Sequence, residues 1–385
     1  MNKKKMNKVT ILILLIIVFL SFAFSSYAEK QAELQPDYYT VYDAKTNKVL
    51  FRTAMEVYKG DRYLSGDNKL YEVFKVDKNE NIAYAKYLRT EKLPDVNIEE
   101  ISQAMAVAEN TGEKRVAIYS THSDESYLPS DGAASINGHG GIYKVDAALQ
   151  KALEAKGVTV KVDRTLYLPH DAMAYSRSRT GAVKLLKDFK PDLLLDVHRD
   201  AVPFKEYIRK IAGKNATGVR IVLGRSNPNL KANQQLAYRI KAIADKTYPN
   251  MIKDVFFGQG DFNQDLTPNS LLLEFGTYSH TRERAEVSAS LIADILTKAL
   301  YGSDEQKQVG TVTKTQKPLP GQNKAAGTGI WVLIGVVAVS AVAFMFLSTG
   351  GREMYHKFSK ATRKEFASYL GKFRRKKEMS HEHKS

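Results

Sequence analysis

The sequence predicts an α/β domain whose mainly parallel sheet is flanked by helices, preceded by a small β-rich module and followed by a single transmembrane helix. Between residues 113 and 301, short runs rich in Val, Ile and Leu alternate with longer amphipathic runs, as strands alternate with helices around a parallel sheet. The run "LLLD" is typical of a strand buried on both faces. A run of 20 uncharged residues at 329–348 is long enough to cross a bilayer, which predicts the transmembrane helix.

An export signal precedes this domain. Four lysines among the first eight residues are followed by the apolar run "VTILILLIIVFLSFA" and by small residues at Ser26 and Ala28. This layout predicts a signal peptide at 1–28. An N-terminal anchor that stays uncleaved is the alternative, because the apolar run is almost long enough to span a bilayer.

Two segments separate the leader from the α/β domain. Residues 37–89 alternate short apolar or aromatic runs with turn signals, which predicts a small β-rich module. No histidine or acid pair stands at a strand end in this segment, so we predict no chemistry for it. Residues 90–112 are polar with one helical patch, "NIEEISQAMAVAEN", and are predicted to be a connector.

The α/β domain at 113–301 contains five strand signals and four helix signals. The strands are predicted at "RVAIYS", "VTVKV", "DLLLDVH", "VRIVLG" and "LLLEFG". The helices are predicted at "GIYKVDAALQKALEAKG", "DAMAYSRSRTGAVKLLKDF", "LKANQQLAYRIKAIADKTY" and "TRERAEVSASLIADILTKAL". In folds of this class ligands bind beyond the carboxyl ends of the strands, so polar residues at those ends are candidates for chemistry.

Histidines mark these strand ends. Of the eight histidines in the chain, five lie in this domain and three in the C-terminal tail. His122 follows the first strand, His198 ends the third, and His139 lies in the glycine-flanked loop that opens the first helix. Catalytic zinc takes three protein ligands and keeps one position open. His122, His139 and His198 could therefore hold a zinc ion, with Glu125 competing for one place.

A carboxylate interrupts the apolar strand "LLLEFG". Burying an unpaired charge is costly, so Glu274 is predicted to have a function there. Beside a zinc-bound water with a pKa of about 7 it could act as general base, and Glu125 is the second carboxylate available for catalysis. His170 and Arg199 are candidates for substrate binding. A surface ion pair is the alternative for Arg199, and helix capping by the adjacent Asp171 is the alternative at His170.

Seven motifs occur in order along 113–301: "STHSDESYLPSDG", "GHGGIYKVD", "LPHDAMAYSRSR", "PDLLLDVHRDAVP", "GRSNPN", "KDVFFGQGDFNQDL" and "LLLEFGTYSH". Together they resemble the stage II sporulation protein P family, whose fold is similar to that of the zinc-dependent N-acetylmuramoyl-L-alanine amidases. The resemblance implies an amidase-like fold and zinc-dependent hydrolysis of peptidoglycan. The bond cut would be the amide between muramic acid and the stem peptide and, in this family, also peptide cross-links.

The resemblance also implies a biological role and a set of site residues. The role is spore engulfment, with a lytic transglycosylase, the stage II sporulation protein D, and a membrane protein, the stage II sporulation protein M, as partners. By the matching motifs, His122 and His198 are implied as metal ligands and Glu274 as the catalytic carboxylate. Related amidases have a Glu just before the first helix, where this chain has His139, so the third ligand stays open between His139 and Glu125.

Two other functions remain open at the level of the sequence. One is a wall-binding scaffold that has lost its chemistry. Such a scaffold would not need to retain both the histidine set and Glu274, and all of them are present. The other is a different zinc peptidase, which could use the same residues because their spacing does not define the substrate.

The C-terminal part predicts where the protein resides. Residues 302–328 have the Gly, Pro, Thr and Gln content of a flexible linker. The tail at 349–385 carries eleven Lys and Arg against four Glu, which places it in the cytoplasm and the catalytic domain outside the cell membrane. Leader and tail account for eleven of the formal +16 charges, so nucleic-acid binding is not predicted. The absence of cysteine excludes disulfides and cysteine nucleophiles.

Overall fold

The computed structural model describes residues 37–107 and 113–302, which belong to one compact unit, Met1–Gly310. The predicted leader at 1–28, membrane span at 329–348 and tail at 349–385 lie outside the described residues. Within the two described ranges, no helix combines the length and the apolar character that a membrane crossing needs.

The described residues contain thirteen strands. They are β1 (Tyr39–Asp43), β2 (Val49–Thr53), β3 (Arg62–Leu64), β4 (Lys69–Asp77), β5 (Ile82–Thr90), β6 (Arg115–Tyr119), β7 (Thr159–Val162), β8 (Leu193–Asp200), β9 (Ile208–Ile211), β10 (Lys214–Thr217), β11 (Val219–Gly224), β12 (Ile252–Gly258) and β13 (Ser270–Thr277). Eleven of them form one sheet in the order β2-β1-β5-β4-β3-β12-β11-β13-β8-β6-β7, and β9 and β10 form a hairpin. The five strands predicted between 113 and 301 correspond to β6, β7, β8, β11 and β13, whereas β12 and the hairpin were not predicted.

The large sheet is mixed, so the prediction of a mainly parallel sheet is wrong. It contains five parallel and five antiparallel pairings, and the hairpin adds a sixth antiparallel one. The strands β7, β6, β8 and β13 are parallel neighbours, but β13 pairs with β11 in the antiparallel sense. The connection from β8 to β11 holds the hairpin and no α-helix. A strand that runs parallel to β8 would need a long crossover connection, usually a helix. Because this connection has none, β11 runs antiparallel to β8 and β13.

The N-terminal strands do not form a separate module, which is a second correction to the predicted fold class. The strand β3 pairs with β12 in the antiparallel sense, so β1 to β5 continue the eleven-stranded sheet. Their side chains also share a core with the α/β part. The ring of Phe51 stacks on Tyr63 at 4.2 Å between centroids and lies 5.5 Å from the ring of Phe256 in β12. A segment this short buries little apolar surface alone, so the shared core stabilises it.

Six α-helices flank the sheet in the described residues. They are α1 (Ile98–Val107), α2 (Leu128–Asp131), α3 (Ile142–Glu154), α4 (Ala174–Phe189), α5 (Leu230–Thr247) and α6 (Arg282–Tyr301), and the last four correspond to the predicted helices. The helices α3, α5 and α6 contribute to the core on one face of the sheet, and α4 contributes to the core on the other. In β8, Leu193 and Leu195 enter the first core and Leu194 enters the second. The strand is therefore buried on both faces.

A neutral histidine lies buried in the turn between β13 and α6. The side chain of His280 is fully buried, its Nδ1 accepts a hydrogen bond from the backbone N–H of Thr277 at 3.2 Å, and its ring packs on Phe204 at 4.3 Å. Burial lowers the pKa of His280 to about 4, and the positive charges of Arg284 and Arg209 act in the same direction. The folded protein therefore resists protonation of this ring.

We predict that His280 makes the fold sensitive to acid between about pH 6.5 and pH 4. The unfolded chain binds a proton near pH 6.5 and the folded chain only near pH 4, so stability is lost as the pH falls through this window, by about 3 kcal/mol. In His280→Asn the amide oxygen can still accept the Thr277 hydrogen bond, and the slope of unfolding free energy against pH should flatten. The exposed His139, changed to Asn, is the control and should leave the slope intact. Equal slopes in both variants, measured by urea unfolding, would contradict this interpretation.

Candidate active site

Two histidines meet where neighbouring parallel strands end. The loop after β6 carries His122, and β8 carries His198 near its carboxyl end. Both rings are buried, and their centroids lie 4.9 Å apart at a right angle. The strand order thus brings together two imidazoles that are distant in sequence, at the sheet edge where the sequence predicts a ligand site.

Glu125 lies between these two histidines. Its Oε1 is 3.4 Å from Nδ1 of His122 and 3.4 Å from Nδ1 of His198, and its Oε2 accepts a hydrogen bond from the backbone N–H of Arg199 at 2.8 Å. Burial alone would raise the pKa of Glu125, but the positive charges of His198 and Arg199 and the hydrogen bonds from both histidines outweigh it and lower the pKa to about 2. Glu125 is therefore a carboxylate at neutral pH.

A second carboxylate faces the other nitrogen of His198. Nε2 of His198 lies 2.9 Å from Oδ1 of Asp196. The backbone N–H of Thr121 donates to the same Oδ1 at 2.9 Å, and the hydroxyl of Thr121 donates to Oδ2 at 2.6 Å. Burial lowers the pKa of His198, but Asp196 and Glu125 together raise it well above its ordinary value. A carboxylate behind an imidazole is the arrangement that orients metal-binding histidines.

His170 is the least buried member of the cluster. Its ring stacks on His122 at 3.9 Å, its Nδ1 lies 3.0 Å from Oδ1 of Asp124, and its side chain is 12% exposed. One imidazole nitrogen from each of His122 and His170 and one carboxylate oxygen of Glu125 all lie within 4.8 Å of one another. The structure therefore gathers four side chains at this edge: His122, Glu125, His170 and His198.

His139 and Arg199 occupy other positions. The side chain of His139 is exposed in the turn before α3 and is not part of the group of ligand atoms described above. Arg199 is buried, and its guanidinium donates to the backbone carbonyls of Ser126 at 3.3 Å and Ala134 at 3.0 Å. Of the two candidates for a third ligand, Glu125 is thus the one that lies between His122 and His198, and Arg199 holds the loop that carries Glu125.

Neighbouring strands place charged residues in one row across the sheet. Asp254 of β12 pairs with Arg220 of β11. Glu274 of β13 pairs with Arg220 on one side and with His198 of β8 on the other. Residues paired across adjacent strands point to the same face, and all four are buried. The sheet register therefore places the predicted base Glu274 beside the predicted ligand His198.

Arg220 and Tyr207 hold the carboxylates of this row. The guanidinium of Arg220 donates through Nε to Asp254 at 2.7 Å and through Nη1 to Asp200 at 2.8 Å. The hydroxyl of Tyr207 lies 2.6 Å from Oε2 of Glu274 and 2.8 Å from Oδ2 of Asp200. Sequence reasoning missed both residues. Arg220 carried a usable signal, a charge inside the apolar run "VRIVLG", whereas Tyr207 lies in a connection with no motif.

The family model of Stage II sporulation protein P (SpoIIP) matches residues 42–297. The stage II sporulation protein P of Bacillus subtilis (strain 168) is 28% identical over 250 residues, which are 58% of this chain and 62% of that protein. The chain thus spans less than two thirds of the length of this relative.

Two solved structures show limited similarity. The CwlD amidase from Clostridioides difficile in complex with the GerS lipoprotein is 14% identical, with a TM-score of 0.31, covering 52% of this chain and 100% of its own. The N-acetylmuramyl-L-alanine amidase Ami1 from Mycobacterium smegmatis is 13% identical, with a TM-score of 0.32, covering 50% of this chain and 98% of its own.

We predict that Arg220→Leu lowers the free energy of unfolding by about 3–5 kcal/mol, because it leaves buried carboxylates without their partner. The control is Lys86→Ala, which removes an ion pair with Glu72 in which the lysine side chain is 54% exposed. That change should cost about 0–1 kcal/mol. Urea unfolding of both variants tests the comparison, and equal costs would show that the buried row is not a stabilising network.

Proposed function

The chain belongs to the stage II sporulation protein P family, and on this premise we propose that it is a zinc-dependent hydrolase of the cell wall that acts in sporulation. The bond cut is the amide between muramic acid and the stem peptide, as in an N-acetylmuramoyl-L-alanine amidase, and peptide cross-links are a second target. The observation that carries the proposal is the position of the Glu125 carboxylate, 3.4 Å from a ring nitrogen of both His122 and His198.

The donor set fits a zinc ion. Two imidazoles and one carboxylate are ligands that zinc prefers in catalytic sites, all three side chains are buried, and Oε1 of Glu125 lies 3.4 Å from Nδ1 of each histidine. Asp196 supplies the carboxylate that orients the ring of His198. We assign His122, Glu125 and His198 as the residues that hold the metal. When bound, zinc polarises a carbonyl group and makes a water molecule acidic enough to react near neutral pH.

The chain's own residues supply the proton transfer and the contact with substrate. Glu274, beside His198 in the sheet, takes a proton from the attacking water and gives it to the amide nitrogen as the carbon–nitrogen bond breaks. His170 has the most accessible side chain of the cluster and is assigned to contact the substrate. Arg199 acts through the loop that its guanidinium holds.

The substrate implies a location and partners. Peptidoglycan lies outside the cytoplasmic membrane, so the described domain acts there, at the cell membrane, with the basic tail at 349–385 on the cytoplasmic side as its charge bias predicts. The lytic transglycosylase stage II sporulation protein D and the stage II sporulation protein M are proposed as partners through family membership alone. The alternative function is an inactive wall-binding scaffold, and the experiments below distinguish it from a hydrolase.

We predict that His122→Ala, Glu125→Ala and His198→Ala each lose zinc, because each removes one of the three assigned ligands. His139→Ala is the matched control and should retain it, since its side chain is exposed. Metal analysis of the purified variants, with circular dichroism to show that they fold, gives the answer. Zinc retained in Glu125→Ala and lost in His139→Ala would contradict Glu125 as the third ligand.

We predict that Glu274→Gln keeps zinc and fold but lowers turnover by about 10²-fold or more, because the amide keeps the size of the side chain and cannot accept the proton. The full chain in detergent is incubated with purified cell wall, and the released peptides are identified by mass. Release of stem peptides by the unsubstituted chain, lost on chelation and restored by zinc, is the expected baseline. Binding to the wall without release under these conditions would favour the scaffold.

A further inference from the structure

We infer that Tyr207 is a positioning residue for Glu274 and that the end of β2 completes the network that holds it. The inference rests on the proposed function in one respect, the role of Glu274 as the base. It goes beyond that function because it assigns a task to residues outside the histidine cluster. The observations that carry it are the contacts of one buried hydroxyl, an interruption in the strand ladder, and two backbone groups from the N-terminal strands.

The hydroxyl of Tyr207 lies between two carboxylates. It is 2.6 Å from Oε2 of Glu274 and 2.8 Å from Oδ2 of Asp200, and all three side chains are buried. Nη1 of Arg220 approaches the same two oxygens, at 2.8 Å from Asp200 and 3.5 Å from Glu274. The hydroxyl donates its one hydrogen to one of these two oxygens and the guanidinium nitrogen approaches both, so together they hold the two carboxylates in place. Hydrogen bonds to ionised groups are short and strong, which suits them to this task.

Glu274 needs such support because the pairing of β13 with β8 is interrupted directly after it. Glu274 pairs with His198, but the register between β13 and β8 shifts before Thr277 pairs with Asp200. Gly276, inside this interruption, has a φ of 76°, and a Cβ there would lie 2.6 Å from the side chain of Thr217. The backbone beyond Glu274 therefore leaves the regular ladder with β8, although Phe275 still pairs with Val219 of β11, and side-chain contacts add to the restraint.

The ring of Tyr207 is itself fixed from both sides of the network. The ammonium of Lys253 lies 4.4 Å from the ring centroid and donates to Oδ2 of Asp254 at 2.7 Å. The guanidinium carbon of Arg220 lies 5.7 Å from the same centroid. Cations over an aromatic face are attracted to it. Changing Tyr207 to Phe preserves this packing and removes only the hydroxyl, which makes the variant a clean probe.

Two backbone groups from the N-terminal strands complete the network. The backbone N–H of Ala54 donates to Oδ1 of Asp200 at 3.0 Å, and the backbone carbonyl of Arg52 accepts from Nη2 of Arg220 at 2.9 Å. These groups add a second partner to Nη2 of Arg220, which also donates to Oδ2 of Asp254 at 3.1 Å, and to Oδ1 of Asp200, which also accepts from the backbone N–H of Ala201 at 2.8 Å. The end of β2 is therefore part of the scaffold of Glu274, although its sequence carries no catalytic motif.

The test is a double-mutant cycle of Tyr207→Phe and Glu274→Gln in the full chain. Tyr207→Phe should lower kcat for stem-peptide release by about ten- to hundredfold, the effect of losing one hydrogen bond to a charged group, with KM and zinc content unchanged. In the Glu274→Gln background the same change should have no further effect on kcat, because its action passes through Glu274. Tyr301→Phe is the control, since it removes a hydroxyl that donates to Asp192 at the opposite end of β8. It should leave kcat unchanged.

A second cycle, on the urea midpoint of unfolding, needs no activity. The losses caused by Tyr207→Phe and Glu274→Gln should be less than additive, because Tyr207→Phe removes the hydrogen bond whose charged acceptor Glu274→Gln replaces with a neutral, weaker one. Additive losses, an unchanged kcat in Tyr207→Phe, or a kcat that falls equally in both Glu274 backgrounds would each overturn the inference. If the unsubstituted chain releases no peptide, the proposed function fails, and non-additive midpoints would still support the contact through which Tyr207 holds Glu274.

Discussion

The fold depends on the pairing of charges that it buries in the middle of a sheet. Asp254, Arg220, Glu274 and His198 lie in one row across four adjacent strands, and all are removed from water. A buried charge persists only when a partner and hydrogen bonds compensate for the lost hydration. The strands β8, β11, β12 and β13 must therefore assemble in this register together, because a slip of one residue would turn the charges toward the opposite apolar core.

The same constraint organises the histidine cluster. Each of three imidazoles lies against a carboxylate: His122 against Glu125, His198 against Asp196 and Glu125, and His170 against Asp124. These carboxylates are in turn held by backbone N–H groups and hydroxyls, as at Asp196 and Glu125. Side chains fixed in this way need little rearrangement to bind a ligand. The site is therefore preorganised.

Periodicity in the sequence predicts local elements well and their assembly poorly. The four helices and five strands predicted in 113–301 are present because each buries a face whose spacing is visible in the chain. The direction of β11 depends on whether a helix follows β8, and the hairpin in its place carries no strong signal. The residues His122, Glu125, His198 and Glu274 could be singled out because polar groups stand where apolar strands end. His139 and His170 are equally polar loop residues, so only the folded chain separates the exposed one from the one stacked on His122.

The N-terminal strands support the site through backbone groups, so their side chains gave no reason to predict chemistry there. The end of β2 contributes the carbonyl oxygen of Arg52 and the N–H of Ala54 to the charged row. Every residue except proline carries these two backbone groups, whatever its side chain. No motif can record such a contribution. The contribution of β2 becomes visible only in the strand order, which places β1 to β5 in the same sheet as the site. The shared sheet therefore supports the site as well as stabilising the N-terminal strands. The partners that a buried network lacks can be supplied from any part of the chain that the fold brings near it.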